Sequence, residues 1–370
     1  MAIAFSREQW QEIKDRNQRW RRRELGRPLM QITLTGRSAD RPKPPVPRVD
    51  KTTTAYDPRY APEQIVDRWD WELSCRRFPA DGFPHVWLDF GAGALAVFLG
   101  GEAEVGLDTV WFRPGAHQGR PIEGLHLRFD ETNSWFQRVR AIGSAAAHYW
   151  DGLVQVGMTD LGGTLDVLST FRPSEQLLLD LYDHPDEVKR LTWEIHDAWF
   201  RAYDLLDRAM RPPNPGSSNW AGVFSEEPGY MLQCDFAYMI GPDMFDEFVK
   251  PELTRACERL GGRAFYHLDG VGQLPHLDSL LSIETLAGIQ WIPGDGQRPV
   301  EQWPEVYRKI RDGGKLIQVF GTPRTLDVLA EQLGTVEPVL CIMSGPISNE
   351  AEFRDCVKKY GGDWGPTSAP

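Results

Sequence analysis

From His85 to Met343 the chain alternates short apolar runs of strand character with helical stretches, joined by brief Gly- or Pro-marked turns. This alternation constrains the fold more than any other feature, because it is the pattern of parallel β/α units. The strand candidates include His85–Asp89, Leu153–Asp160, Asn219–Ser225, Tyr230–Phe236, Ala264–Asp269, Leu286–Ile292, Lys315–Phe320 and Val339–Met343. About eight such strands predict an α/β protein, a closed (β/α)₈ TIM barrel with an N-terminal helical extension. Asp108–Phe112 and Leu125–Phe129 read as an inserted ribbon, and Asp243–Leu260 as one helix. Glu175–Met210 reads as two helices meeting near His184-Pro185.

Before the repeating pattern, Ser6 to about Glu24 reads as a helix with Trp10, Ile13, Asn17 and Trp20 on one stripe. It is expected on the outside of the main domain or against a second copy in a homodimer. Pro28–Thr35 is a strand candidate, and Gly36–Val49 carries four prolines and reads as a loop. The expected division is residues 1–57 as extension, 58–362 as barrel and 363–370 as a flexible tail.

With 370 residues and a net charge of −12, the chain lacks the basic surface that nucleic acid or an anionic membrane would require. Five scattered cysteines without a Cys-x-x-Cys pair fit a reducing compartment. No apolar run has the length of a membrane span or a signal peptide, so the cytoplasm is expected. There is no Gly-x-Gly-x-x-Gly after the first strand and no phosphate-binding Gly-x-x-x-x-Gly-Lys motif, which leaves a nucleotide reading without support. The fourteen tryptophans are expected mainly in the core, with some lining an aromatic pocket.

In such folds the C-terminal strand ends form the active edge. The polar residues there are Asp89, Asp160, Glu226 with Glu227, Cys234 with Asp235, His267 with Asp269, Gln290, Gln318 and Cys341. His267 and Asp269 alternate on one strand and so share a face. They can act as metal ligands or as an acid–base pair, and Asp269 can equally cap the following helix. Zinc draws about four ligands from His, Cys and carboxylate, so Cys341, Cys234 and Glu226 are the candidates to complete the set.

Three stretches carry a family resemblance. They are Tyr-His-Leu-Asp-Gly at 266–270 with Leu-Ala-Gly-Ile-Gln-Trp-Ile-Pro-Gly at 286–294, Tyr230–Leu253, and Trp87–Val105. Over about residues 60–345 the chain resembles the uroporphyrinogen decarboxylase superfamily, which includes the methylcobamide:thiol methyltransferases. The resemblance implies a (β/α)₈ barrel. It puts Asp89 where the decarboxylases hold an aspartate against substrate, and Arg37 where an arginine holds substrate carboxylate. Met30–Arg37 reads Met-Gln-Ile-Thr-Leu-Thr-Gly-Arg and keeps a single arginine, and no histidine follows His276. In the methyltransferase branch zinc is held by His-x-Cys and a late cysteine; here the strand reads His267-x-Asp269, and Cys341 lies near the late position.

The resulting expectation is a zinc-dependent methyltransferase, catalysing through His267, Asp269 and Asp89. Arg37, Trp87, Trp220, Phe236, Tyr266, Gln290 and Trp291 are expected to bind a small-molecule substrate. The resemblance implies a corrinoid; with no Asp-x-His-x-x-Gly motif present, it would arrive on a partner protein. The alternatives are a metal-free decarboxylase of a small acid, using Asp89, Arg37 and His267, and a non-catalytic binding barrel.

Overall fold

The computed structural model describes residues 3–48, 52–107 and 109–365. It is a mixed α/β fold built on a mostly parallel sheet. The strands are β1 (Leu29–Thr35), β2 (Arg76–Arg77), β3 (His85–Trp87), β4 (Glu102–Val105), β5 (Val110–Arg113), β6 (Gln155–Gly157), β7 (Met231–Gln233), β8 (Phe265–Asp269), β9 (Gly288–Ile292), β10 (Leu316–Gly321) and β11 (Val339–Pro346). Seven of them form one sheet in the order β2-β1-β11-β10-β9-β8-β7. Within it only the β1–β2 pairing is antiparallel. β3 and β6 pair in parallel as a separate unit, and β4–β5 is an antiparallel ribbon.

The expected eight-stranded closure is not carried by a continuous ladder among the described residues. Single backbone hydrogen bonds lie beside the sheet margins. The Asp81 amide donates to the Met30 carbonyl at 3.2 Å beside β1, and the Met158 amide to the Ser218 carbonyl at 2.9 Å beyond β6. The Asn219–Ser225 stretch is a turn rather than a strand. The Asn219 side chain accepts the Ala221 amide, and Gly222 sits at φ 73°, a backbone state that glycine reaches without strain. The expected partner Leu125–Phe129 is irregular, and the ribbon forms instead from Glu102–Val105 and Val110–Arg113. Asp108 lies outside the described residues, as do 366–370 of the expected tail.

Two-residue alternation gives each strand two distinct faces. Ile32, Leu34, Leu268, Ile289, Trp291, Val319 and Cys341 belong to the large core between sheet and helices. Leu29, Met231, Phe265, Leu316 and Leu340 form a second cluster on the opposite face. The helix Pro185–Met210 contributes Val188, Leu191, Ile195, Trp199, Ala202 and Leu206 to the large core, at three- and four-residue spacing. It begins where expected because Pro185 disfavours a helical His184, which takes φ −137° and ψ 47°. Asp243–Leu260 splits into Pro242–Phe248 and Lys250–Arg259. Pro251 has no amide to continue the first helix.

The N-terminal helix, Gln9–Arg21, buries the expected stripe of Trp10, Ile13, Asn17 and Trp20. It packs beneath the N-terminal edge of the sheet. Trp20 stacks on Phe265, the first residue of β8, with ring centroids 6.2 Å apart. The Trp10 indole N–H donates to the Leu153 carbonyl at 3.1 Å, just ahead of β6. The segment expected as an extension also supplies β1 to the sheet, paired with β11. Among the described residues, no helix is long and apolar enough to cross a membrane.

Candidate functional site

Strand β8 organises the site. Phe265, His267 and Asp269 alternate along one face, while Tyr266 and Leu268 enter the helix-covered core. Phe265 lies at the end closed by Trp20, and Asp269 at the opposite, C-terminal edge. Gly270 ends the strand at φ 81°, where a Cβ would meet the Tyr238 ring at 2.8 Å. Only glycine allows the chain to leave the strand there with Tyr238 packed against it.

Register sets the neighbours of His267. Gln233 of β7 lies beside it on one flank and Gln290 of β9 on the other, and Gln318 of β10 lies beside Gln290. The side chains link in the same order. His267 Nδ1 bonds to Gln290 Oε1, and Gln290 Nε2 donates to Gln318 Oε1. Because Gln290 spends its amide N–H on Gln318, its oxygen must accept, so Nδ1 of His267 carries the proton. The other ring nitrogen, Nε2, is thereby directed to the open edge, 3.7 Å from Asp269 Oδ2. Trp220 stands edge-on to the imidazole at 4.9 Å, with its buried indole N–H unpartnered.

Asp235, just past β7, completes the group. One donor atom from each of Asp235, His267 and Asp269 falls within 4.8 Å of the others, spacing that a single cation could bridge. Asp235 is exposed at the edge, while His267 and Asp269 are half-buried. Asp269 also walls a cleft of about 500 Å³ with Ile292, Gly294, Asp295 and Phe320.

The electrostatics are those of crowded carboxylates around one imidazole. Burial works to lower the His267 pKa, but the Asp269 carboxylate 3.7 Å away and the charge of Asp235, with the Gln290 hydrogen bond, outweigh it and hold it above the usual value. Burial pushes Asp160 up to about 7, opposed by the Gly162 amide and reinforced by Asp235. Asp166, which accepts the amides of Asp235 and Phe236, is also raised by burial and by the Asp235 charge.

The remaining expected residues divide by strand face and by edge. Gln290 and Trp220 surround His267. Arg37 and Asp89 follow β1 and β3, and Trp87 ends β3; β1 is four strands along the sheet from β8. Arg37 donates to the Ser74 carbonyl at 3.1 Å, and Asp89 accepts the Gly91 amide at 3.1 Å. Tyr266, Phe236 and Trp291 are directed into the helix-covered core rather than a pocket. Tyr266 bonds Gln273 and Trp291 packs edge-on against Trp303.

The cysteine ligands expected for a metal are also displaced. Cys234 and Cys341 belong to the helix-covered core, and burial pushes both thiols well up, away from the thiolate a metal would need. Glu226 accepts a hydrogen bond from Gln18 of the N-terminal helix, at the opposite edge. Asp235 takes the place of these three. Alternation from Met231 through Gln233 to Asp235 carries that signal, since Cys234 has the wrong parity.

No family model matches this chain, and no curated protein does. Among solved structures it is similar to a methyltransferase from Methanosarcina mazei, with a TM-score of 0.60 and 13% identity. The match covers 94% of this chain and 99% of that one. The likeness is one of fold.

Proposed function

We propose that this chain is a metal-dependent methyltransferase on a closed (β/α)₈ barrel, with Asp235, His267 and Asp269 holding a divalent cation at its C-terminal mouth. The observation that carries the reading is the convergence of those three donors around a histidine whose far nitrogen is already engaged by Gln290. A metal-binding histidine commonly donates its second N–H to a fixed acceptor, which aims the first. Two carboxylates and one imidazole make a harder set than thiolates, suited to zinc or another borderline divalent ion. When bound, such an ion would act as a Lewis acid on the methyl acceptor.

The chain's own residues supply the rest. Gln290 and Gln318 hold the imidazole's tautomer, and Trp220 stands edge-on beside it. The M. mazei methyltransferase supports the class at the level of fold. A corrinoid on a separate protein is the proposed methyl carrier.

Elemental analysis of the purified protein tests the metal reading. About one equivalent of zinc or a similar ion is expected, removable by a chelator and absent from His267→Ala. Metal below about a tenth of an equivalent after loading would sink it, because the site as proposed needs a bound ion.

A second reading draws on the 3.7 Å approach of His267 Nε2 to Asp269 and the raised histidine pKa. Without metal, the pair could move a proton for a lyase reaction. Carbon dioxide release from a small acid by chelated protein, lost in Asp89→Asn, would favour this alternative.

A further inference from the structure

The acidic cluster occupies the β7–β8 side of the C-terminal edge. The β1–β2 side is built differently. A cavity of about 240 Å³ there is lined by Thr35, Arg68, Trp71, Glu72, Cys75 and Arg76. A second, of about 220 Å³, shares Glu72 and Arg76 with it and extends to His85, Trp87 and Asp89.

Arg68 is only 2% exposed. Its Nε donates to Glu72 at 2.7 Å, and its guanidinium lies 5.0 Å from the centre of the Trp71 ring. Its Nη1 is buried without a hydrogen-bond partner. Leaving a charged donor buried and unmet costs more than leaving a neutral one. Arg76 makes no ion pair among the described residues. Burial, aided by the Arg76 charge, pushes His85 down to about 4, so that ring is neutral and neither adds to nor offsets the charge of the cavity. In the first cavity Glu72 is the one carboxylate among the lining residues and can balance one arginine but not two, whereas the second adds Asp89. The walls of the first cavity therefore keep a surplus of forked, charged donors, the geometry that matches a carboxylate or phosphate.

We propose that the first of these cavities, walled by Arg68 and Arg76, is an oxyanion subsite. It would bind the carboxylate or phosphate ester of an organic substrate whose other end reacts at Asp235, His267 and Asp269. In its assignment to substrate, the inference rests on the barrel reading above, which sets β1 across the mouth from β8. The substrate would then lie between a cationic and an anionic wall, which fixes its direction as well as its position.

Calorimetric titration of the full chain with benzoate, phenyl phosphate and inorganic phosphate tests it. At least one organic anion should bind, and Arg76→Gln should weaken it by about tenfold or more, or 1.4 kcal/mol. Preference for benzoate assigns a carboxylate, and preference for phenyl phosphate a phosphate ester. Arg68→Lys, which keeps the charge and removes the fork, should weaken binding as well. If that variant does not fold, Arg76→Gln on the surface of the cavity decides alone. Binding that persists in metal-free protein and in Asp269→Asn supports the subsite whatever becomes of the metal reading. No binding of either organic anion, binding of inorganic phosphate only, or equal affinity in Arg76→Gln would overturn it.

Discussion

The face of β8 that carries Phe265, His267 and Asp269 has two ends built from opposite chemistry. At the N-terminal end Phe265 lies under Trp20, with the Arg21 guanidinium 5.5 Å from the ring centre and its Nη2 on the Phe224 carbonyl. At the C-terminal end, four residues on, Asp269 faces His267 and an open cleft. The first end gains stability by excluding water. The second keeps charges close together in a half-buried setting, an arrangement that costs stability unless something binds there. On the proposed reading, one short strand separates support from chemistry, as expected where the C-terminal edge carries function.

Substitutions can break or sharpen that contrast. The largest effect is expected from His267→Ala, which should abolish metal binding and turnover while leaving the melting temperature of metal-free protein little changed. Elemental analysis and calorimetry check both halves, and a collapse in stability would blur the division. Trp20→Ala should do the reverse. It should destabilise the fold by about 3–5 kcal/mol in urea titrations, as for a large buried aromatic, with metal stoichiometry unaltered.

Gln290→Leu should weaken metal binding by about 10- to 100-fold, the scale for losing the group that orients a ligand. Metal affinity should fall on acidification, because the histidine must be neutral to bind. The Gln290 contact helps hold the His267 pKa up. Its loss should therefore move the acid midpoint of metal binding to lower pH, and competition titrations across pH would reveal a shift the other way.

The smallest effect concerns Asp160. Its folded pKa, about 7, lies above the ordinary carboxylate value near 4, so the folded state holds a proton that the unfolded chain has lost. Stability should accordingly fall as pH rises from about 4 to about 7. Asp160→Asn should remove part of that fall and gain about 1–2 kcal/mol at pH 8 relative to pH 5. Parallel urea melts of the two proteins measure it, and an unchanged slope would remove Asp160 from the destabilised set.

Much of this division is legible in the chain. The alternation of strands and helices predicts the parallel sheet, and the His267–Asp269 parity predicts two side chains on one face. Gln290 and Gln318 stand out as polar residues in apolar strands, although only the register links them into a relay. The two-residue period tells which residues share a face but not which face the helices cover. That ambiguity is why Cys234 and Cys341 read as ligands and Tyr266 and Trp291 as pocket walls. Glu226 fails for another reason: the turn at Asn219–Gly222 replaces the expected strand, and Glu226 pairs with the N-terminal helix. The arginine cavity is illegible because Arg68 and Arg76 come from a helix and a two-residue strand with no pattern of their own.

β1 pairs with β11 along Leu29↔Leu340 to Thr35↔Pro346, a seam between residues more than three hundred positions apart. On the ribosome, residues 29–35 must wait with that sheet edge unmatched until residues 340–346 have been made. Contacts this distant in sequence slow folding and lengthen the exposure of a sticky edge. The nascent protein should therefore depend on chaperones until residues 340–346 emerge and β11 can join β1.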